Sequence, residues 1–130
     1  MNNLDAVHRL LTEYYRTFST LNVQNIAPFF HQPCLFVSPQ GVMAAPTHVE
    51  VSEVFRVIAE AFRAKEYSRS DLIVKDSKLL SASAALVTGI AVRYKTDGNE
   101  LERVDVTYLL HNSNNEWKIA VIVIHDPQID

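Results

Sequence analysis

Two kinds of hydrophobic periodicity divide the chain into an N-terminal helical part and a C-terminal part made of strands. In the first part, apolar residues recur at steps of three and four, the spacing of one face of an α-helix. From Asp71 onward, β-branched and aromatic residues form long runs separated by short polar turns. This order predicts an α+β fold in which one bent antiparallel sheet wraps around helices. A sheet of that shape leaves a pocket between its concave face and the helices.

The first two helices are predicted from an apolar stripe and a proline. The first helix carries the stripe Leu4, Val7, Leu11, Tyr14, Phe18 and Leu21. Tyr14 lies near the middle of the stripe, whereas Tyr15 lies about 100° away, at the edge of the helix. The second helix is expected to be short and to run from Ile26 to Phe30. Because Pro28 is tolerated only in a first helical turn, this helix should start near Asn25.

A short strand pair and a third helix follow. The run CLFVS, residues 34–38, is typical of a strand, and the Pro-Gln-Gly after it is typical of a turn. Val42 and Met43 can then return as a brief partner strand. Thr47 and Glu50 have the spacing of a capping box, which predicts the start of the third helix. The apolar face of that helix consists of Val51, Val54, Phe55, Ile58 and Phe62.

The remaining chain contains four predicted strands, DLIVKDSKLL, ASAALVTGIAVRY, ELERVDVTYLLH and EWKIAVIVIHD. The turn Asp97-Gly98 is a strong hairpin signal, so consecutive strands should form an antiparallel meander. The last strand is apolar on both parities. One parity contains Trp117, Ile119, Val121 and Val123, and the other contains Ala120, Ile122 and Ile124. An antiparallel strand with one wet face would alternate. We therefore expect Ala120, Ile122 and Ile124 to lie on the outer face of the sheet and to form the contact of a homodimer.

Composition narrows the class of protein. The 130 residues are 48% hydrophobic and 21% charged, which predicts a single globular domain over residues 1–130. The net charge of −3 has no basic stripe, which argues against a nucleic-acid partner. Cys34 is the only cysteine, and neither a signal peptide nor a membrane-spanning run is evident, so a cytoplasmic location is expected. No Gly-rich phosphate loop or Cys/His cluster occurs, so no cofactor or metal is expected.

The order of the elements resembles a known superfamily. Two segments carry the likeness, EYYRTFSTLNVQNIAPFFHQPCLFVSPQGV and YLLHNSNNEWKIAVIVIHD. A helix-one tyrosine, a short second helix, a strand ending in Pro-x-Gly and a closing hairpin resemble the ketosteroid isomerase, SnoaL-like and nuclear transport factor two-like superfamily. The resemblance spans nearly the whole chain and implies a cone-shaped fold, with three N-terminal helices on a strongly bent sheet. It implies a fold rather than one activity.

The catalytic residues of ketosteroid isomerase carry over only in part. The helix-one tyrosine that helps to form the oxyanion hole corresponds to Tyr14. The catalytic aspartate before the strand-ending proline corresponds to Ser38 in FVSPQG, and a serine hydroxyl is not a base near neutral pH. The second acidic residue of the superfamily corresponds to either Asp105 or Val106. The resemblance therefore implies that steroid isomerisation is absent or very weak.

Each polar candidate has a structural alternative. Tyr14 either donates a hydrogen bond into the pocket or is a core aromatic residue whose hydroxyl reaches a backbone carbonyl. His31 either stabilises a helix C-terminus or acts as a general base at the pocket mouth. Asp105 interrupts an apolar run and has Arg93 and Arg103 as possible partners. An Asp–Arg pair there can be structural, a subunit contact or a carboxylate-binding site.

Two functions remain open for this sequence. In the first, a small apolar substrate undergoes cofactor-free isomerisation, dehydration or cyclisation, with Tyr14 polarising an oxygen and Asp105 or His31 moving the proton. In the second, the chain is a non-catalytic ligand-binding or dimerisation module whose pocket is partly filled. The predicted ligand-binding residues are Phe18, Phe36, Ser38, Phe55, Ile58 and Arg93. The direction in which Asp105 points distinguishes the two functions.

Overall fold

The computed structural model describes residues 3–125, and the side chains of residues 4–125. The helical elements are α1 (Asn3–Phe18), α2 (Val23–Ile26), a short 3-10 turn (Ala27–Phe29) and α3 (His48–Arg63). The strands are β1 (Phe30–Ser38), β2 (Gly41–Ala45), β3 (Tyr67–Ser81), β4 (Ala84–Lys95), β5 (Glu100–Ser113) and β6 (Glu116–His125). The predicted α+β order is confirmed. The end of the predicted last strand, Asp126, lies outside the described residues.

Side-chain caps set the starts of α2 and α3, and the predicted start of α2 was wrong. The predicted capping box is present, with the Thr47 amide donating to Glu50 Oε1 over 2.8 Å. The second helix begins at Val23 rather than near Asn25. The Asn22 side chain accepts a hydrogen bond from the Asn25 amide and so caps this earlier start. Pro28 instead occupies the 3-10 turn, where its missing amide proton costs nothing.

The six strands form one sheet in the order β2-β1-β6-β5-β4-β3. Four neighbouring pairs are antiparallel, as predicted. The fifth pair differs, because β1 runs parallel to β6, with Phe36 opposite Ile122. The prediction of a wholly antiparallel sheet was therefore wrong at this pair. Hairpin turns fix the direction of consecutive strands, whereas β1 and β6 lie far apart in the sequence and no local turn relates them.

A bulge in β6 reverses the faces that were predicted for its second half. Leu110 pairs with Ile119 while Leu109 pairs with Val121, so Ala120 has no partner in the β5–β6 register. One extra residue switches every later side chain to the opposite face. Ile122 is therefore buried on the concave face, and Val121 points to the outer face. The predicted outward orientation of Ile122 and Ile124 was wrong.

The core lies between α1, α3 and the concave face of the sheet. Rings from both helices and the sheet pack edge-to-face around Tyr14, whose ring centroid lies 5.5 Å from that of Phe30 and 6.2 Å from that of Tyr108. Such contacts add to the hydrophobic stabilisation of burial itself. Within the described residues, no helix is long and apolar enough to cross a membrane.

Candidate functional site

A cavity of about 240 Å³ lies between α1, α3 and the concave face of the sheet. From the helices, its walls include Tyr14, Tyr15, Phe18, Val54, Phe55 and Ile58. From the sheet, they include Phe36, Ser38, Arg93, Tyr108, Ile122 and Ile124. Most of these side chains are apolar, and the polar ones converge from α1 and from β4 and β5. This combination is typical of a small-molecule site.

A second depression runs along the surface between α1 and β3, with a volume of about 550 Å³. Its charged side chains already have partners. Arg16 pairs with Glu13 at 3.0 Å, and Arg69 pairs with Asp71. The surface depression is the more open of the two, and its charges are already paired. The smaller cavity is therefore the better candidate site.

Two adjacent tyrosines on α1 reach the cavity, although they lie about 100° apart around the helix. Tyr14 and Tyr15 are both buried, and their rings meet edge-to-face with centroids 5.5 Å apart. Tyr15 lies at the edge of the helix, and β5 covers this edge with Tyr108, which buries the Tyr15 side chain. The hydroxyls of Tyr15 and Tyr108 are hydrogen-bonded at 2.6 Å. Among the described residues, the Tyr14 hydroxyl has no hydrogen-bond partner.

Burial keeps these hydroxyls protonated. It raises the pKa of Tyr15 to about 12, and it raises the pKa values of Tyr14 and Tyr108 well above their usual range. The positive charge of Arg93 acts in the opposite direction on all three pKa values, but burial dominates. At neutral pH the tyrosines are therefore hydrogen-bond donors, not phenolates.

Among the described residues that line the cavity, Arg93 carries the only formal charge. Its guanidinium carbon lies 5.3 Å from the centroid of the Phe62 ring. Its Nε atom is buried without a hydrogen-bond partner. Glu102 stands opposite on β5, yet no ion pair involving Arg93 occurs within residues 3–125. The cavity thus contains a cation that the described part of the chain does not neutralise.

Most of the predicted site residues lie at this cavity. They are Tyr14, Phe18, Phe36, Ser38, Phe55, Ile58 and Arg93. Their roles in binding stay predictions. The Ser38 hydroxyl donates to Gln40 Oε1 over 3.0 Å and accepts from the Gln40 amide over 3.2 Å. This hydroxyl therefore stabilises the turn between β1 and β2.

Asp105 and His31 do not line the cavity. Val106 and Tyr108 bury their side chains on the concave face, so Asp105, at the opposite parity of β5, lies on the outer face. It stands between Ile90 and His125 of the neighbouring strands, and no ion pair joins it to Arg93 among the described residues.

His31 lies near the start of β1 and not at a helix end. Its Nδ1 is 2.9 Å from the carbonyl oxygen of Pro33, and its ring centroid is 5.8 Å from that of His111. The sequence placed His31 at the end of the second helix, but β1 already begins at Phe30, one residue before His31. Within the described residues, no group of three His, Cys, Asp or Glu side chains lies close enough together to hold a metal ion.

Sequence reasoning missed Tyr15 and Tyr108 as cavity residues. Tyr108 shares a parity with Val104 and Val106, so its position in an apolar row was visible in the sequence. Nothing in the local pattern indicated that Tyr15 would pair with it.

Comparison with known proteins identifies the family. The family described as NTF2-like protein (DUF6841) matches residues 5–127. The chain belongs to this NTF2-like family. No curated protein matches the sequence.

Solved structures share the fold of this NTF2-like chain. An NTF-2 like protein of unknown function from Shewanella oneidensis MR-1 superimposes with a TM-score of 0.79 at 16% identity, covering 96% of this chain and 100% of that one. A ketosteroid isomerase-like protein from Erwinia carotovora atroseptica SCRI1043 has a TM-score of 0.72 at 15% identity, covering 98% of each chain. At these identities the likeness shows the fold alone.

Proposed function

We propose that this NTF2-like protein binds a small, largely apolar molecule in the cavity and does not catalyse proton transfer on it. The observation that carries the proposal is the absence of a carboxylate or imidazole among the described residues that line the cavity. A proton-transfer enzyme of this kind needs a general base within hydrogen-bond reach of its substrate. The non-catalytic alternative is therefore favoured over the isomerase, dehydratase or cyclase.

None of the polar groups that the described residues contribute to the cavity is suited to take up a proton. The tyrosines have raised pKa values and already carry their protons at neutral pH. The Ser38 hydroxyl is engaged with Gln40. Arg93 offers only N–H donors and no acceptor. The polar groups instead offer hydrogen-bond donors, which orient a ligand.

The volume of the cavity sets the size of the ligand. An apolar cavity of about 150 Å³ can hold a benzene molecule. The cavity here, at about 240 Å³, has room for a benzene ring with a short substituent. It is smaller than the range of roughly 300–1,000 Å³ that is typical of sites for drug-sized ligands.

Ethylbenzene is a suitable first probe, with binding measured by saturation-transfer NMR. We expect binding to the wild-type protein and loss of binding in Val54→Phe, because the added ring fills the cavity. The matched control is Val57→Phe, since Val57 is 58% exposed on the same helix. Absence of binding to the wild-type protein, or equal binding to both variants, would refute the proposal.

We also infer that two copies of the chain associate through the outer face of the sheet. A continuous apolar row crosses that face through Leu86, Leu109, Val121 and Leu35, which are paired from strand to strand. Leu35 is 39% exposed, and Ile73 on β3 is 49% exposed. An apolar patch that extends over several strands marks an interaction surface on most soluble proteins.

Sedimentation velocity tests this association. The wild-type protein should sediment as a dimer at micromolar concentration, and Leu109→Lys should sediment as a monomer because a charge then faces the apolar row. Val57→Lys, on the opposite side of the molecule, should remain dimeric. A monomeric wild-type protein would contradict the inference.

A further inference from the structure

The cavity contains an unneutralised cation, and this defines the chemistry of its ligand. We infer that the ligand is a small organic anion, an aryl or alkyl carboxylate, with its carboxylate at Arg93 and the tyrosine hydroxyls and its apolar body against the helices. This inference rests on the proposed function of the same cavity, and it adds the charge of the ligand.

The first argument is the state of Arg93. An arginine has five N–H donors, and a donor that is removed from water costs free energy unless it is hydrogen-bonded. Arg93 is half-buried. Among the described residues, its guanidinium group has neither an ion pair nor a hydrogen bond, and its Nε is shielded from solvent. Its contact with the Phe62 ring compensates only part of this cost. The planar fork of a guanidinium matches the two oxygens of a carboxylate.

The second argument is the surplus of donors beside Arg93. The Tyr14 hydroxyl has no acceptor within the described residues. In the Tyr15–Tyr108 pair one hydroxyl donates to the other, so the accepting hydroxyl still has its own hydrogen to donate. Arg93 and all three tyrosines line the same cavity. A ligand that satisfies this cluster must bring acceptor oxygens.

The third argument is the rest of the cavity wall, which is apolar. Phe36, Phe55 and Ile58 line it together with Ile122 and Ile124. These side chains would contact a hydrocarbon body but give an inorganic ion nothing to bind. The site therefore suits a molecule with one anionic end and one apolar end, such as a phenyl-substituted short-chain acid.

Phenylacetate and phenylacetamide form a matched pair of probes, because they differ in charge but have nearly the same shape. Their binding to the wild-type protein is measured by calorimetry at neutral pH. Phenylacetate should bind about tenfold to a hundredfold more tightly, the range for hydrogen bonds to charged groups. Arg93→Met should abolish this preference, and Arg93→Lys should retain part of it.

Two further variants test the role of a tyrosine donor and the location of the bound anion. Tyr14→Phe removes one donor and should weaken phenylacetate more than phenylacetamide. Arg69→Met removes a cation from the surface depression between α1 and β3, where Arg69 lies 4.2 Å from the centroid of the Tyr94 ring. It should leave the preference unchanged. If Arg69→Met abolishes the preference, the anion binds at the surface and the inference is overturned.

The remaining outcomes separate this inference from the proposed function. Equal affinity for both probes in the wild-type protein would overturn the anionic ligand while leaving apolar binding intact. Binding of neither phenylacetate, phenylacetamide nor ethylbenzene would overturn both. Because the charge preference is measured on the wild-type protein, a variant that fails to fold does not affect this comparison.

Discussion

The hydroxyl groups of Tyr15 and Tyr108 lie 2.6 Å apart in the core, although 93 positions separate the two residues in the chain. This hydrogen bond joins α1 to β5 beside the cavity. It also fixes the orientation of both rings, because a buried hydroxyl without a partner is costly. The pair therefore links the stability of the fold to the geometry of the candidate site.

Removing either hydroxyl should lower the free energy of unfolding. We expect a loss of about 1–3 kcal/mol for Tyr15→Phe and for Tyr108→Phe, since each leaves the other hydroxyl buried and unpaired. The double variant should lose less than the sum of the two, because neither polar group then remains. Urea unfolding measures all three. Strictly additive losses would show that the two hydroxyls do not interact in solution. Tyr94→Phe serves as a control, because Tyr94 lies outside the pair.

Alkaline pH should destabilise the protein. Burial raises the pKa of Tyr15 to about 12, while in the unfolded chain it ionises near its usual pKa of about 10. Between these values the unfolded chain binds fewer protons, so stability is full below pH 10 and is lost as the pH rises. The loss is about 1.4 kcal/mol per pH unit for each tyrosine that ionises only on unfolding.

Urea midpoints measured from neutral pH to about pH 11 test this prediction. The Tyr15→Phe/Tyr108→Phe double variant should show a shallower decline than the wild-type protein. A parallel decline in both proteins would assign the effect to other groups.

Gly89 should not tolerate a side chain. A Cβ atom at this position would overlap the backbone carbonyl oxygen of Ile73 on β3 and would lie 3.0 Å from Leu72 Cδ1. Gly89→Ala should therefore cost about 1–3 kcal/mol or more, because backbone in a paired strand cannot move aside easily. Gly98→Ala is the control, since a Cβ there meets open space and only the positive φ of 89° opposes it. Equal urea midpoints for the two variants would contradict the close approach at Gly89.

Ketosteroid isomerase activity should be absent or very weak. The superfamily resemblance implies that Ser38 stands in the position of the catalytic aspartate, and general-base catalysis typically contributes about a hundredfold to ten-thousandfold in rate. Asp105 offers no substitute because it lies on the outer face of the sheet. The measurement is the ultraviolet absorbance of the conjugated product formed from a β,γ-unsaturated ketosteroid. A rate comparable with that of the aspartate-bearing enzymes would show that another group had taken over as base.

The candidate site was predictable only where a residue's own helix or strand decided its direction. Tyr14 and Phe18 lie on the apolar stripe of α1, so periodicity alone placed them on the buried face. The direction of the Asp105 side chain was harder to predict. Strand alternation places Asp105 and Val106 on opposite sides of the sheet, but it does not tell which of the two residues points toward the helices. Its outward position follows from the packing of the whole sheet.

The amino-acid sequence by itself determined the order and type of the elements, because their signals are local. The Thr47–Glu50 capping box and the Asp97-Gly98 turn act on residues only a few positions away. Only the tertiary structure decided that β1 runs parallel to β6 and that a bulge at Ala120 turns Ile122 inward. It also placed Arg93 beside tyrosines from α1 and β5. Each of these features depends on contacts between residues far apart in the chain, and local periodicity carries no information about such contacts.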